Sequence, residues 1–140
     1  TLLVETKGDH LDAEQKIKIL DGVANIHFLG RKPYQDLPAY CKGFDAALNP
    51  FAINELTLAA NPLKVREYLA AGLPVISTDI PEVRILKYCR LGRSHEEFIR
   101  QIEAALENHV AREEISDSIK SESWDAKVNE LRQIIEKMKQ

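Results

Sequence analysis

The chain has 140 residues, 44% of them hydrophobic and 29% charged, with a formal net charge of −3 at pH 7. This is one domain's worth of ordinary globular composition, which excludes a fibrous or disordered chain. The acidic balance excludes nucleic acid as a bulk partner, because phosphate backbones need clustered Lys and Arg. No apolar run reaches the length of about 18 residues that a membrane span needs, and no signal-peptide pattern occurs. The two cysteines, Cys41 and Cys89, lack metal-ligand spacing and read as reduced thiols of a cytosolic protein.

In chain order, Leu2-Leu3-Val4 predicts a buried first strand that opens into a loop at Gly8-Asp9. Because Thr1 already stands inside this apparent strand, the sequence is expected to be a piece of a longer chain. Glu14 to Gly22 carries Ile17 and Leu20 at helical spacing, with Asp12 as cap and Gly22 as stop. A second strand follows, with Ile26 and Phe28 on one face, His27 and Leu29 on the other, and Gly30 closing it. Arg31-Lys32-Pro33-Tyr34 is then a basic turn at the carboxyl end of a strand, where open α/β sheets place their ligands. Leu37 to Lys42 predicts a helix that Pro38 forces to start near Asp36. Ala46-Ala47-Leu48 predicts the third strand, Asn49-Pro50 its exit, and Phe51 to Ala60 an aperiodic loop of the kind that carries contacts with substrate.

The next stretch organises the rest. Asn61 suits an N-cap, Pro62 the first helical position and Gly72 the left-handed residue past the end, so a helix of about 10 residues is expected between them. Val75-Ile76-Ser77-Thr78 then reads as a strand covered on both faces. Lys64 falls in the helix's first turn, where the macrodipole disfavours a cation unless an anion such as phosphate is expected there. Glu67 lies one turn on, placed to accept hydrogen bonds from ribose hydroxyls; the alternative is an exposed i,i+3 pair with no ligand at all.

Asp79-Ile80-Pro81-Glu82 is another strand-end loop, and Val83 to Leu91 fits either a helix or a short last strand. Ser94-His95-Glu96-Glu97 is a capping box, followed by Phe98, Ile102, Ala105 and Leu106 on one helical face. A short helix carries Ile115 and Ile119. The closing helix, within 122–140, sets Trp124, Val128, Leu131, Ile135 and Met138 in one stripe. Strands alternating with helices, then closing helices, predict a Rossmann-like three-layer α/β domain with a parallel sheet of about four to six strands.

Three blocks, Asn25-Ile26-His27-Phe28-Leu29-Gly30, Phe44-Asp45-Ala46-Ala47-Leu48-Asn49-Pro50-Phe51 and Asn-Pro-Leu-Lys-x-x-Glu-Tyr-x-Ala-x-Gly-x-Pro-Val from Asn61, resemble the donor-binding C-terminal half of a GT-B fold, family 4-like (group 1) glycosyltransferase. The similarity runs from about Thr1 to Glu82 and resumes weakly in the closing helices. It implies a retaining hexosyltransferase and makes 1–140 the nucleotide-sugar-binding half of a two-domain enzyme, inactive by itself. The expected partners are a nucleotide diphosphate-sugar, used as substrate with no cofactor or metal, and a glycan or lipid-linked acceptor held by the other half. Peripheral membrane association of the whole enzyme and self-association through the closing helix complete the expectations.

The same resemblance makes Glu67 the ribose-binding glutamate and sets Lys64, with Pro62 and Leu63, against the phosphates; Gly30 and Arg31 match the base-contacting loop. The family's first motif glutamate is replaced here by Ala59, and Glu55 is the nearest acid upstream. No general base is identifiable: His27 reads as a core or rim residue, His10 as a cleft residue, and His95 and His109 as helix-surface residues. A sugar-nucleotide epimerase on the same scaffold and a non-enzymatic receiver-type module are the competing classes. The second is disfavoured by Asn49-Pro50 where an Asp would end the third strand.

Overall fold

A computed structural model describes residues 2–4, 22–30 and 32–138, which fall into two compact units, Thr1–Ala39 and Tyr40–Gln140. In the first unit β1 (Leu2–Val4) and β2 (Ile26–Phe28) pair in parallel, Leu2 opposite Ile26 and Val4 opposite Phe28. Ile26 and Phe28 are half-buried and His27 is exposed, the alternation of a strand with one covered face. Gly22 and Gly30 have φ of 87° and 64°, left-handed values that suit chain reversals on either side of β2. The predicted helix from Glu14 lies outside the described residues except for its stop, Gly22, as do His10 and Arg31.

A 3-10 turn, Tyr34–Asp36, leads into α1 (Leu37–Lys42), the helix expected at those bounds, which carries the chain into the second unit. There β3 (Ala47–Asn49), β4 (Val75–Thr78) and β5 (Cys89–Gly92) form a parallel sheet in that order. Ala47 stands opposite Val75, and Val75 opposite Cys89. Strand β3 starts one residue later than the apolar run predicts because Asn49 belongs inside: it is buried and its Nδ2 donates to Ser77 Oγ at 2.9 Å. A buried amide is tolerated where it has such a partner.

Val75, Ile76 and Ser77 are all fully buried, so β4 is covered on both faces. On the Val75 face, Val65, Leu69 and Leu73 pack with Val83 and Ile115 into one core. Ile76 and Thr78 point the other way, and so does Gly92, the register partner of Thr78. A Cβ on Gly92 would lie 2.6 Å from the Cα of Phe98, so only glycine lets the helix bearing Phe98 approach this closely. The result is the three-layer α/β arrangement, with helices on both faces of a parallel sheet.

The connection from β3 to β4 holds two helices. The first, α2 (Glu55–Leu58), lies in the stretch expected to be a loop. Asn54 Oδ1 accepts from the N–H of Thr57 and Thr57 Oγ1 accepts from the N–H of Asn54, each at 2.9 Å. This reciprocal capping box uses Thr where the sequence signature looks for Glu or Gln, and it carries no apolar period.

The second, α3 (Leu63–Ala70), is shorter than expected and shifted by one residue. Pro62, not Asn61, is the N-cap, and Asn61 Oδ1 accepts instead from Arg66 Nη1. With φ −75° and ψ 95°, Pro62 stays extended before the helix starts. At the other end the Leu73 N–H reaches the Tyr68 carbonyl at 3.0 Å and the Gly72 N–H the Leu69 carbonyl at 2.9 Å, a Schellman closure around Gly72 at φ 77°. A Cβ there would sit 2.7 Å from the Arg112 carbonyl oxygen.

The ambiguous segment resolves into a 3-10 turn, Pro81–Val83, a left-handed Tyr88 at φ 65°, and then β5. Ser94 caps α4 (His95–Glu107), accepting from the Glu97 N–H at 3.1 Å. The Glu97 carboxylate, however, takes the N–H of Arg93 at 2.8 Å rather than that of Ser94. Ala105 on α4 is buried and Phe98 and Ile102 are half-buried, whereas Leu106 turns outward. His109 lies just past the end of α4 rather than on it.

In α5 (Arg112–Asp117) Ile115 is buried; Ile119, also buried, lies beyond it and leads into a 3-10 turn at Lys120–Glu122. The closing helix, α6 (Trp124–Met138), buries none of its residues. Trp124, at its start, is 86% exposed.

Candidate functional site

In a parallel β–α–β crossover the helix returns against the strands, so it begins at their carboxyl ends. The start of α3 therefore stands at the carboxyl edge of β3 and β4. Pro62 has no side-chain oxygen and supplies no cap, so the first-turn N–H groups look to other acceptors. Pro62 itself is buried and works as a packing residue, while Leu63 is 67% exposed.

Lys64 and Glu67 are half-buried on this helix, and each is engaged by a neighbour within the chain. Both charges are felt at the thiol of Cys41, on the last turn of α1. Burial pushes that thiol up, Glu67 adds to the rise, and Arg112 and Lys64 pull against it. Lys64 and Glu67 thus both stand within electrostatic reach of Cys41. Burial alone pushes the second thiol, Cys89, up to about 11. Both cysteines are free and stay protonated at neutral pH, which makes them packing groups rather than nucleophiles.

The other expected site residues are scattered. Gly30 is exposed in the first unit. Glu55 is exposed at the first position of α2, and Ala59, at the position of the expected first glutamate, is the C-cap of the same helix. His95 is exposed at the start of α4 and His109 is exposed in the loop after it. Among the described residues, no group of three or more His, Cys, Asp or Glu side chains could hold a metal ion. No described helix is long and apolar enough to cross a membrane.

A cavity of about 680 Å³ opens where β4 and β5 end and α4 begins. Phe51, Ile53, Leu58 and Phe98 give it an apolar wall; Thr78, Asp79, Arg84 and Arg93 give it a polar one. Asp79 bridges two guanidiniums, taking Arg84 Nε at 2.7 Å and Arg93 Nε at 2.9 Å. The hydrogen bond from Arg84, joined by that from Arg93 and against a smaller effect of burial, holds the Asp79 carboxyl below the ordinary aspartate range. Thr78 Oγ1 is buried without a hydrogen-bond partner among the described residues.

Sequence reasoning missed this cluster. Asp79, Arg84 and Arg93 are separated by a turn and a strand, and no short motif ties them. The available signal was positional, since Asp79 and Arg93 each directly follow a strand at its carboxyl end.

Comparison with known proteins bears on this geometry. A profile described as "Glycosyl transferases group 1" matches residues 1–108. The chain belongs to that family. Its match covers all five described strands, α3 with Lys64 and Glu67, and the whole of α4. The chain is also similar to the "Putative teichuronic acid biosynthesis glycosyltransferase TuaH" of Bacillus subtilis (strain 168), with 33% identity over 57 residues. That match takes in 41% of this chain and 14% of the relative, so the chain spans only a small part of the relative's length. No solved structure matches.

Proposed function

We propose that this chain supplies the nucleotide-sugar-binding half of a GT-B glycosyltransferase. The whole enzyme would move a hexosyl group, with retention, from a nucleotide diphosphate-sugar to a glycan or lipid-linked acceptor. The observation that carries this reading is the start of α3, an end without a side-chain cap at the carboxyl edge of a parallel sheet, with Lys64 in its first turn and Glu67 one turn on. Peptide N–H groups and an ammonium suit a diphosphate, and a carboxylate about 4.5 Å further along the axis suits ribose hydroxyls.

Chemistry at the anomeric carbon would then draw on the donor's phosphates and on fixed charge in the cleft, since no side chain among the described residues is identified as a base. Transfer would need the rest of the enzyme, and polysaccharide assembly at the cytoplasmic side of a membrane is the setting such a donor suits.

Titrating the chain with UDP, GDP and ADP tests the reading. One of them should bind, and Glu67→Ala should weaken it at least about tenfold, or about 1.4 kcal/mol. Lys64→Ala should give a loss that shrinks as salt is added. Absence of binding to all three nucleotides, or unchanged binding in both variants, would return the pair to an ordinary helix-surface ion pair.

A further inference from the structure

Three helices of the second unit begin with a side-chain cap. Asn54 serves α2, Ser94 serves α4, and Ser123 Oγ accepts from the Ala126 N–H at 3.2 Å at the start of α6. Asparagine is among the best residues for this role, and Asn61 directly precedes Pro62, whose ring suits the first helical position. Yet no side chain caps α3. The Asn61 carboxamide is taken instead by Arg66, whose Nη1 donates to Oδ1.

Arg66 is held where it can do this. Asn61 lies at the surface, but the Arg66 side chain is only 16% exposed, and its other nitrogens face two carboxylates from distant parts of the chain. Nη2 stands 3.7 Å from Glu82 in the turn after β4, and Nε stands 3.6 Å from Glu122 in the turn before α6. Pairs of that length are charge attractions rather than close hydrogen bonds, so they aim the guanidinium and leave Nη1 for the asparagine. A planar fork can serve three partners on fixed bearings, which a lysine ammonium cannot.

The consequence is competition for one helix end. Were Asn61 the cap, Pro62 would become the first helical residue and Asn61 Oδ1 would accept from the N–H groups that follow, beginning with Leu63. The reading above gives the donor's phosphates to this same end, and one acceptor excludes the other. We propose that Arg66 is a positioning residue, which sequesters Asn61 and so keeps the start of α3 open to the diphosphate of the donor. The ligand rests on that reading; the sequestration rests on the contact between Arg66 and Asn61.

Titration calorimetry of the 140-residue chain with UDP, GDP and ADP, read beside amide hydrogen exchange, tests the proposal. Arg66→Met keeps the apolar stem and releases Asn61. Affinity for the nucleotide that binds should fall about fivefold or more, the weight of one asparagine cap. Arg66→Met combined with Asn61→Ala should recover most of that loss, which neither a missing charge nor a loosened fold would allow. The Leu63 N–H should exchange fast in the unsubstituted chain without nucleotide, slowly in Arg66→Met, and fast again in the double variant.

The exchange measurement needs no ligand, and its first arm needs no substitution. If the unsubstituted chain binds none of the three nucleotides, the donor reading fails, while exchange at Leu63 still decides the sequestration. Affinity unchanged by Arg66→Met, a loss that Asn61→Ala does not rescue, or a Leu63 N–H already protected in the unsubstituted chain would each overturn the proposal.

Discussion

Two helices of this chain show apolar residues at helical spacing and meet opposite fates. In α3, Val65 and Leu69 are wholly buried against the sheet; in α6 the five residues of the stripe lie open. Periodicity tells that a face is built to be covered, but it does not say by what. The difference lies in the element next in the chain. Gly72 turns the chain directly into β4, which folds α3 down on the strand it precedes, whereas α6 has no later strand among the described residues to fold it down.

The comparison can be broken at its stronger end first. Leu69→Ala removes a fully buried side chain from the central cluster and should cost about 2–5 kcal/mol in urea unfolding. A cost below about 1 kcal/mol would mean that α3 is far less integral to the core than its burial implies.

A smaller effect belongs to Asp79. Its folded pKa is depressed, so its ion pairs contribute stability above the ordinary aspartate value of about 3.9 and lose it as pH falls through the lower folded value. With Arg84 and Arg93 more than half exposed, screening holds that contribution to about 1 kcal/mol or less. The Tm gap between the unsubstituted chain and Asp79→Asn should be constant from pH 7 to about pH 5 and close at lower pH. A gap that widened on acidification would reverse the assignment.

The smallest effect is expected at the open end of the comparison. Leu131→Ser, measured in dilute monomer, should shift stability by no more than about 0.5 kcal/mol. A larger loss would show that α6 already has a partner within its own chain.

Much of the second unit was legible because its signals are local. Strand β4 and α1 fall at their predicted bounds, and Gly72 and Ser94 punctuate their helices as expected. The misplaced start of α3 is instructive. Asn61 and Pro62 each favour a helix start, but proline's extended ψ of 95° makes it the boundary, and Arg66 claims the asparagine side chain.

Strand β3 was displaced because the interior holds a polar pair, Asn49 and Ser77, that no apolar pattern can announce. Of the candidate site, Lys64 and Glu67 were readable because one helix carries both. The cluster of Asp79, Arg84 and Arg93 was not, because it forms only when a turn and a strand fold back on one carboxylate.

Arg112 gives the second unit a timetable. Its guanidinium donates to the carbonyl of Cys41 at 3.2 Å and to that of Phe44, 71 and 68 residues earlier in the chain. These carbonyls lie at the end of α1 and just beyond it, where a helix leaves acceptors unsatisfied. Closing so long a loop loses entropy before any contact compensates, whereas β3 and β4 meet across 28 residues. The clasp is therefore expected to form after the folding barrier. Arg112→Ala should speed unfolding and leave the folding rate nearly unchanged, and stopped-flow chevrons that instead showed slowed folding would place the clasp in the nucleus.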